Sequence, residues 1–199
     1  MDVFLQTERL RLRRFTAADV DNLVELDGDP EVMRYLTNGK PTARETVEGE
    51  VLPAILRCYE RSEAGRWAAE ELAGGGFLGW LSLQPPTDGG TTELDLGYRL
   101  RRSTWGRGYA TEGARALVRK AFTDLGTQRV IAQTMAVNTR SRRVMERAGL
   151  RYLRTFHVPW DDPIPGTEQG EVEYELLRED WLRRQPTATA GPDTHGTDG

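Results

Sequence analysis

Cysteine and histidine are scarce in this 199-residue sequence, which contains one cysteine and two histidines. A single thiol, Cys58, cannot form an internal disulfide or a zinc cluster, and we interpret it as a small buried side chain rather than a reactive one. Long apolar runs are also missing: no stretch reaches the roughly 18 residues of a membrane span, and the amino terminus lacks a signal-peptide core. These absences predict a cytoplasmic protein with no metal site and no membrane association.

The charge is unevenly distributed along the chain. The net charge is −4, but residues 99–154 contain 14 Arg and Lys against 3 Asp and Glu, a local +11 that leaves −15 for the rest. A basic segment within an acidic chain favours a local site for a polyanion over nucleic-acid binding across the whole surface. The simpler interpretation, that most of these arginines are solvated helix faces, stays open.

Hydrophobic periodicity predicts both strands and helices. Strands are expected at residues 5–15, 66–72, 77–83, 92–100, 129–137, 151–160 and 171–178. Helices are expected after Thr16, from a Thr42–Glu45 capping box to about residue 61, from Ala114 to an end at Gly126, and over residues 138–148. This order indicates an α/β (α+β) protein whose mixed sheet has helices on its faces, without the regular alternation of a doubly wound fold.

The stretch WGRGYATEG, residues 105–113, places two glycines directly before the third predicted helix. A helix start offers N–H groups without intrahelical partners and a partial positive charge, which suit phosphate oxygens, and Gly108 would let an anion approach the backbone. The P-loop pattern does not occur, and Thr111 stands where a dinucleotide fingerprint needs its third glycine. The loop is therefore either a phosphate site of another type or an ordinary turn.

Longer stretches carry a resemblance to a known family. LDLGYRLRRSTWGRGYATEGARALVRKAF and VNTRSRRVMERAGLRYLRTF resemble the acetyl-coenzyme A site of the GNAT N-acetyltransferase superfamily, most closely its ribosomal-protein N-terminal acetyltransferase branch. The resemblance extends to TERLRLRRFTAADVDNL and EVEYELLREDW. It implies a single-domain GNAT fold over residues 1–184, with a mixed, mostly antiparallel sheet of six to seven strands, a central splay and about four helices. Residues 185–199, nearly without apolar side chains, are expected to be a disordered tail.

The resemblance also implies acetyl-CoA as cosubstrate, whose phosphates would explain the local positive charge. The residues it assigns to coenzyme binding are Arg107, Gly108, Tyr109, Ala110, Thr111, Asn138 and Ser141. Trp105 departs from the family's first loop position, so anion binding would depend on the backbone of residues 107–111. Pantetheine would lie between splayed strands near residues 93–99 and 130–137, where Gly97 permits close approach. Asn138 is equally a candidate helix cap.

Amine acetylation needs a group that accepts the ammonium proton and a leaving thiolate. Asp95 is the candidate base, with Glu168, Glu171 and Glu173 as rivals, and the alternative is that Asp95 belongs to a solvated strand face. Many family members carry a tyrosine acid where this chain has Met145, which cannot donate a proton. Either Ser141 replaces that acid, or the thiolate leaves without one.

The predicted function is acetyl transfer from acetyl-CoA to a primary amine, either a protein amino terminus or a small molecule, by a monomer or homodimer. The acidic remainder of the chain suits a cationic acceptor. Two other classes stay open: an inactive coenzyme-binding sensor or interaction module, and a nucleic-acid binder, which the uneven charge disfavours. His157, Trp160 and Trp67 are interpreted as packing or surface residues rather than catalysts.

Overall fold

A computed structural model describes residues 2–60, 64–86 and 92–185. Its strands are β1 (Val3–Gln6), β2 (Leu10–Arg13), β3 (Gly65–Glu71), β4 (Phe77–Gln84), β5 (Glu93–Leu100), β6 (Arg129–Met135), β7 (Arg151–Phe156) and β8 (Glu171–Leu177). Its helices are α1 (Val20–Gly28), α2 (Pro30–Thr37), α3 (Arg44–Thr46), α4 (Leu52–Cys58), α5 (Tyr109–Thr123), α6 (Thr139–Arg147) and α7 (Arg178–Arg183). A π-helical turn, Val47–Val51, joins α3 to α4.

All these strands form one sheet in the order β1-β2-β3-β4-β5-β6-β8-β7. Every neighbouring pair is antiparallel except β5 and β6, which are parallel. The single domain with a mixed, mostly antiparallel sheet and flanking helices is therefore confirmed. The described sheet has eight strands, against the six to seven predicted.

The extra strand comes from the amino-terminal segment. Residues 5–15 were expected to form one strand, and this expectation is wrong because the chain turns at Thr7. The backbone N–H of Leu10 donates to Thr7 Oγ1 at 3.0 Å, and the Thr7 N–H donates to the Leu10 carbonyl at 2.9 Å. The turn separates β1 from β2, and only β2 carries the Leu10 and Leu12 alternation, both side chains being buried.

Two apolar cores lie on opposite faces of the sheet. On one face α5 and α6 pack over a large core that includes Leu81, Leu117 and Tyr174. On the other face the segment from α1 to α4 covers a smaller core containing Leu23, Ile55 and Trp80. Each fully buried side chain of this kind contributes about 2 kcal/mol through loss of apolar contact with water. The described domain is therefore three-layered, with the sheet in the middle.

Helix starts were predicted with mixed success. The Thr16–Asp19 capping box is present and leads through a short 3₁₀ turn into α1. The expected Thr42–Glu45 box is wrong, because α3 begins after Ala43 with no side-chain cap bond. The helix α2 was not predicted, although Asp29 caps it by accepting from the Glu31 N–H at 2.9 Å, and Pro30 follows directly.

The other helix predictions agree with the structure. α5 ends at Thr123, just before Gly126 with its φ of 67°, and α6 occupies the predicted segment after Asn138. α5 packs directly onto β4, since a Cβ added at Gly113 would lie 2.6 Å from Leu81. The sequence Asp88-Gly89-Gly90 predicts a turn after the strand at residues 77–83. This turn and, apart from Gln185, the predicted disordered tail lie outside the described residues.

Candidate active site

The sheet opens between β5 and β6. These strands are paired only where residues 93–95 lie beside residues 129–131. Beyond that point β5 continues along β4 to Leu100, whereas β6 continues along β8 to Met135. Past Asp95 the edge of β5 that faces β6 has no strand partner, so its backbone groups are available to a ligand. This is the predicted splay, and Asp95 stands at its apex.

The glycine loop leads into α5 through two left-handed residues. Gly106 has a φ of 74° and Gly108, the N-cap, a φ of 85°, so both positions require glycine. No described side chain caps this helix, and the first-turn N–H groups of Tyr109, Ala110 and Thr111 have no intrahelical partner. Such a helix start after alternating backbone conformations suits a phosphate group. Coenzyme binding by residues 107–111 remains a prediction that this geometry fits.

Arg9, on the turn between β1 and β2, holds the outer side of the loop. Its Nη1 donates to the Arg107 carbonyl at 3.0 Å, and its Nε donates to Glu112 Oε2 at 2.6 Å. Burial alone would raise the pKa of Glu112, but hydrogen bonds from Thr7 and Arg9 outweigh it and lower that pKa. The Arg107 carbonyl is thereby held toward Arg9. Nothing in the residue pattern of the amino terminus indicated this role.

The arginines of the basic segment divide between two roles. Arg102 and Arg107 are exposed near the loop, and the ion pair of Arg107 with Glu71 is long, at 3.5 Å. Arg140 lies over the ring of Trp105, which in turn donates to the Leu100 carbonyl at 2.8 Å. Other arginines of this segment form ion pairs within the protein, as Arg129 does with three glutamates. Part of the local positive charge is thus free to attract an anion, and part is neutralised.

Asn138 and Ser141 lie together at the start of α6. Asn138 Oδ1 accepts from the Ser141 N–H at 3.2 Å, so Asn138 is a helix cap, and its Nδ2 donates to Thr134 Oγ1 at 3.1 Å. Tyr98, on β5 beyond the apex, donates to the Ser141 carbonyl at 2.8 Å, and its hydroxyl lies 2.9 Å from Ser141 Oγ. Tyr98 therefore connects β5 to α6 across the splay.

Tyr98 is a site residue that the sequence pattern did not reveal. Alternation placed it among the leucines of the apolar face, and it does pack against that core. Burial raises the pKa of Tyr98, which therefore stays protonated near neutral pH. The available signal was its hydroxyl, since a buried tyrosine needs a hydrogen-bond partner. Met145, by contrast, is 1% exposed and belongs to the core, so no hydroxyl stands at that position.

The opposite face of the sheet carries a network of charged groups around Arg129. Its guanidinium bonds Glu93 Oε2 at 2.6 Å, Glu175 Oε2 at 2.9 Å and Glu173 Oε1 at 3.1 Å. Arg154 also donates to Glu173, at 2.9 Å. Three strands, β5, β6 and β8, are linked in this way. The network borders the apex of the splay on the side away from α5.

Asp95 lies beside this network but is not part of it. Its carboxylate forms no hydrogen bond or ion pair within the described residues. Burial raises the pKa of Asp95 to about 6, and the negative charges of Glu173 and Glu93 add to the effect. A half-buried, unpaired carboxylate that titrates near neutrality can accept a proton, which is what the predicted base must do.

The rival carboxylates are less suited to this role. Burial would raise the pKa of Glu173, but the hydrogen bond and charge of Arg154, with help from Arg129, lower it. Glu168 is exposed and its pKa is lowered, chiefly by backbone hydrogen bonds, including one from the Gly166 N–H at 2.9 Å. Glu171 has a pKa raised by burial alone, but it lies on β8 opposite Phe156, away from the apex.

The aromatic and histidine candidates are placed as packing or surface residues. Trp67 is buried at 1% exposure and stacks on Phe4 with ring centroids 3.9 Å apart. His157 is exposed, and Trp160 lines a surface pocket beside Leu36. In the described ranges no group of three or more His, Cys, Asp or Glu side chains is arranged to hold a metal ion. None of the described helices is both long and apolar enough to cross a membrane.

Comparisons with known proteins agree with this geometry. The family model for the acetyltransferase (GNAT) domain matches residues 9–151. The chain is 39% identical over 189 residues to an Aspergillus fumigatus protein named FsC-acetyl coenzyme A-N(2)-transacetylase, covering 91% of this chain and 79% of that one.

Solved structures show the same fold. A spermidine N-acetyltransferase from Vibrio cholerae, in complex with CoA and spermine, has a TM-score of 0.71 at 16% identity, covering 88% of this chain and 98% of that chain. The aminoglycoside acetyltransferase AAC(6')-Ib, in complex with acetyl-CoA, has a TM-score of 0.71 at 20% identity, covering 91% of this chain and 100% of the other. With the family match over most of its length, the chain belongs to the GNAT acetyltransferases, enzymes that transfer acetyl groups from acetyl-CoA.

Proposed function

We propose that this enzyme transfers the acetyl group of acetyl-CoA to a primary amine by direct attack within a ternary complex. The observation that carries the proposal is Asp95, an unpaired carboxylate at the apex of the splay whose pKa is raised to about 6. A base in that position can accept a proton from an amine that enters from the face of the sheet with the Arg129 network, while acetyl-CoA enters from the face covered by α5.

The residues would divide the work as follows. The N–H groups of residues 107–111 bind the coenzyme phosphates, and the unpaired edge of β5 binds pantetheine. The amine nitrogen attacks the thioester carbonyl carbon, the carbon–sulfur bond breaks, and the electron pair leaves with the thiolate. The ammonium proton passes to Asp95, directly or through water, and then to solvent.

Ser141 is the proposed proton donor to the thiolate. Its hydroxyl lies 2.9 Å from that of Tyr98, and either oxygen can be the donor in this contact. Tyr98 has one proton and donates it either to the Ser141 carbonyl or to Ser141 Oγ. In the second arrangement Ser141 can pass its own proton to the thiolate while it takes up the Tyr98 proton, and solvent then returns a proton to the pair. A thiol with a pKa near roughly 8.5 also leaves tolerably without an acid, so Ser141 contributes less to the rate than Asp95.

The named relatives support an amine acceptor of small size. The Aspergillus fumigatus relative is named for transfer to an N(2) nitrogen, and the two structural neighbours are named for spermidine and aminoglycoside acetylation. All three names describe nitrogen acetylation. We therefore place a small-molecule amine ahead of a protein amino terminus as the acceptor.

The test is a screen of amines with purified protein and acetyl-CoA. Polyamines, aminoglycosides, amino acids and short peptides are supplied singly, and both thiol release and the mass of the acetylated product are measured. We expect stoichiometric thiol and acetylated amine with at least one class. Tight acetyl-CoA binding without turnover on any amine would contradict the proposal and identify a coenzyme-binding module.

A further inference from the structure

One half-buried guanidinium in the described part of the chain has no acidic partner. Arg66, on β3, forms no side-chain hydrogen bond or ion pair with the described residues, and its Nε is shielded from solvent without a partner. Buried arginines are normally paired, because an unpaired charge loses its hydration without compensation. Burial lowers the pKa of Arg66 to about 10, with a further contribution from the charge of Arg99, so the group is still charged near neutral pH.

The surroundings of Arg66 carry an excess of positive charge. Its guanidinium carbon lies 4.1 Å from the centre of a Trp80 ring, and that of Arg99 lies 5.2 Å from a Trp80 ring. The carboxylate that supports Arg66 electrostatically is Asp27, but Asp27 is already bound to Arg99 at 2.6 Å. Two cations thus share one anion on the face covered by α1 and α4.

The strand register places Arg66 in line with the splay. Arg66 is opposite Ser82 on β4, and Ser82 is opposite Gly97 on β5, so the three share one face of the sheet. Two strand spacings put the Cα atoms of Arg66 and Gly97 about 10 Å apart. Gly97 is two residues beyond Asp95, on the strand edge that β6 leaves open.

Gly97 lets the side chains of Ser82 and Trp80 pack close to β5 on this face. A Cβ added there would lie 2.5 Å from Ser82 Oγ and 3.4 Å from the Trp80 ring. The indole of Trp80 therefore extends from the guanidinium of Arg66 to the backbone of Gly97. The Ser82 hydroxyl, which has no hydrogen-bond partner in the described ranges, lies at the same place.

We infer that Arg66 binds a carboxylate of the amine acceptor, so that the preferred substrate is an amine that also carries an acidic group. The inference rests on the proposed function and refines it, because it replaces the purely cationic acceptor that the overall charge suggested. The planar guanidinium can donate two parallel hydrogen bonds to a carboxylate, and Trp80 fixes its plane by stacking. Asp95 would receive the proton of the amine while Arg66 holds the other end of the molecule.

The test compares amino acids with their uncharged amides. Glycine, β-alanine, 4-aminobutyrate, 6-aminohexanoate and lysine, each beside its primary amide, vary the distance between amine and carboxylate. For each pair we measure kcat/KM with acetyl-CoA and, independently, acceptor binding to the CoA-loaded protein by calorimetry. We expect at least one acid to exceed its amide by about tenfold or more in both, as charge-assisted bidentate hydrogen bonds require.

Variants assign the preference to Arg66. Arg66→Met keeps the stem over Trp80 and is expected to abolish the preference of acid over amide, with acetyl-CoA affinity unchanged. Arg66→Lys restores the charge and should recover part of the preference. Arg119→Met, an exposed arginine on α5 on the other side of the sheet, serves as the control and should retain it in full.

The outcomes separate the two proposals. If the enzyme acetylates amines but treats each acid and its amide alike, or if Arg66→Met keeps the preference, the inference about Arg66 is wrong and the proposed function stands. If no amine is acetylated and no acid binds better than its amide, both fail. Binding that prefers the acid without any turnover would support the Arg66 site and contradict the transfer reaction.

Discussion

At the scale of single residues, Asp95 and Glu173 show how neighbouring carboxylates acquire different roles. Both lie near the apex of the splay, on the face of the sheet that carries the Arg129 network. The pKa of Asp95 is nevertheless raised and that of Glu173 is lowered. Both are partly withdrawn from water, but Glu173 has Arg154 and Arg129 beside it, whereas the charges that act on Asp95 are those of Glu173 and Glu93. Separated pKa values of this kind mark the group that exchanges protons.

Replacing Asp95 by asparagine tests its role as the base. The variant is expected to lose about 10²-fold or more in kcat, the usual contribution of a general base, with little change in acetyl-CoA affinity. Because only the carboxylate form accepts a proton, wild-type kcat/KM should rise with pH through about 6, and this rise should be lost in Asp95→Asn. Rates across pH 5 to 8 provide the measurement.

The exposed rival provides a matched control for this experiment. Glu168→Gln removes a carboxylate whose pKa is lowered and which lies away from the apex, so its pH profile should match that of wild type. Asp95→Asn should also stabilise the fold at pH 8 by about 3 kcal/mol, because a raised folded-state pKa means that ionisation opposes folding. If Asp95→Asn stays active and its kcat/KM still rises with pH through about 6, Asp95 is not the base.

Tyr98→Phe tests the contact across the splay. Removing the hydroxyl breaks the hydrogen bonds to Ser141 and should cost about 1 kcal/mol of stability. If Ser141 donates a proton with Tyr98 behind it, Ser141→Ala and the double variant should lower kcat by the same factor as each other, as in a coupled pair. Independent, additive effects on kcat in the double-mutant cycle would show that the two hydroxyls do not act together.

At the scale of single residues, the sequence predicted which residues take part in the site better than it predicted the side chains around them. Asp95 was identified because the resemblance to the GNAT superfamily implies a cleft beside it, and the strand that carries it is present in the structure. The isolation of Arg66 and the bridge from Tyr98 could not be predicted, because each depends on which side chains from distant strands and helices lie beside it. The same holds for Arg9, whose partner Glu112 is 103 residues away.

At the scale of elements, the loop before α5 is where conformation and ligand binding coincide. Gly106 and Gly108 have positive φ, which turns successive N–H groups toward one side. Arg9 holds the intervening carbonyl of Arg107 on the other side. The loop therefore already has a conformation that suits an anion before a ligand binds. Binding a phosphate there does not require the loss of further conformational entropy from the loop.

Gly108→Ala measures how much of coenzyme binding depends on this shape. A side chain at a φ of 85° costs about 1–2 kcal/mol and shifts the first N–H groups of α5, so the Kd for acetyl-CoA should rise about tenfold. Gly126→Ala is the matched control, because Gly126 also has a positive φ, of 67°, with no atom near its added Cβ. It should lose similar stability and keep its Kd. Equal Kd values for the two variants would show that the loop does not bind the coenzyme.

Elements with strong local signals were predictable, and those defined by long-range contacts were not. α5, α6 and the strands β3 to β6 follow their apolar periodicity closely. The division of β1 from β2 depends on a turn that hydrogen bonds between Thr7 and Leu10 close, and α2 is short enough for its apolar pattern to be missed despite its Asp29 cap. A capping-box pattern in the sequence predicted the start of a helix correctly only where its side-chain hydrogen bonds form, as at Thr16.

At the scale of the whole molecule, stability depends on buried ion pairs at the amino-terminal side of the sheet. Arg13 binds Asp19 through two hydrogen bonds of 2.8 and 2.7 Å, and Glu70 at 2.6 Å. Burial alone would raise the pKa of Asp19, but the hydrogen bonds from Arg13, the Thr16 N–H and Asn22 lower it to about 2. Asp19 thereby joins the start of α1 to β2.

Asp19→Asn is expected to lower the free energy of unfolding at pH 7 by about 2 kcal/mol. A lowered folded-state pKa gives stability that is present above the unfolded value of 3.8 and lost as the pH falls toward about 2. Urea unfolding at pH 7 and pH 3 should show a smaller acid-induced loss for the variant than for wild type. Asp21→Asn, at an exposed ion pair with Arg44, should change neither value measurably.

The parallel junction between β5 and β6 is short. Only three residue pairs join β5 to β6, and Arg129 fastens that junction by binding Glu93 on one strand and two glutamates on β8. No other strand pairing joins the β1 side of the sheet to the β8 side, and the further contacts across the gap are made by side chains, such as that of Tyr98 with Ser141. Widening the gap for one substrate would therefore also displace the charged groups that border the opposite entrance, linking the two entrances mechanically.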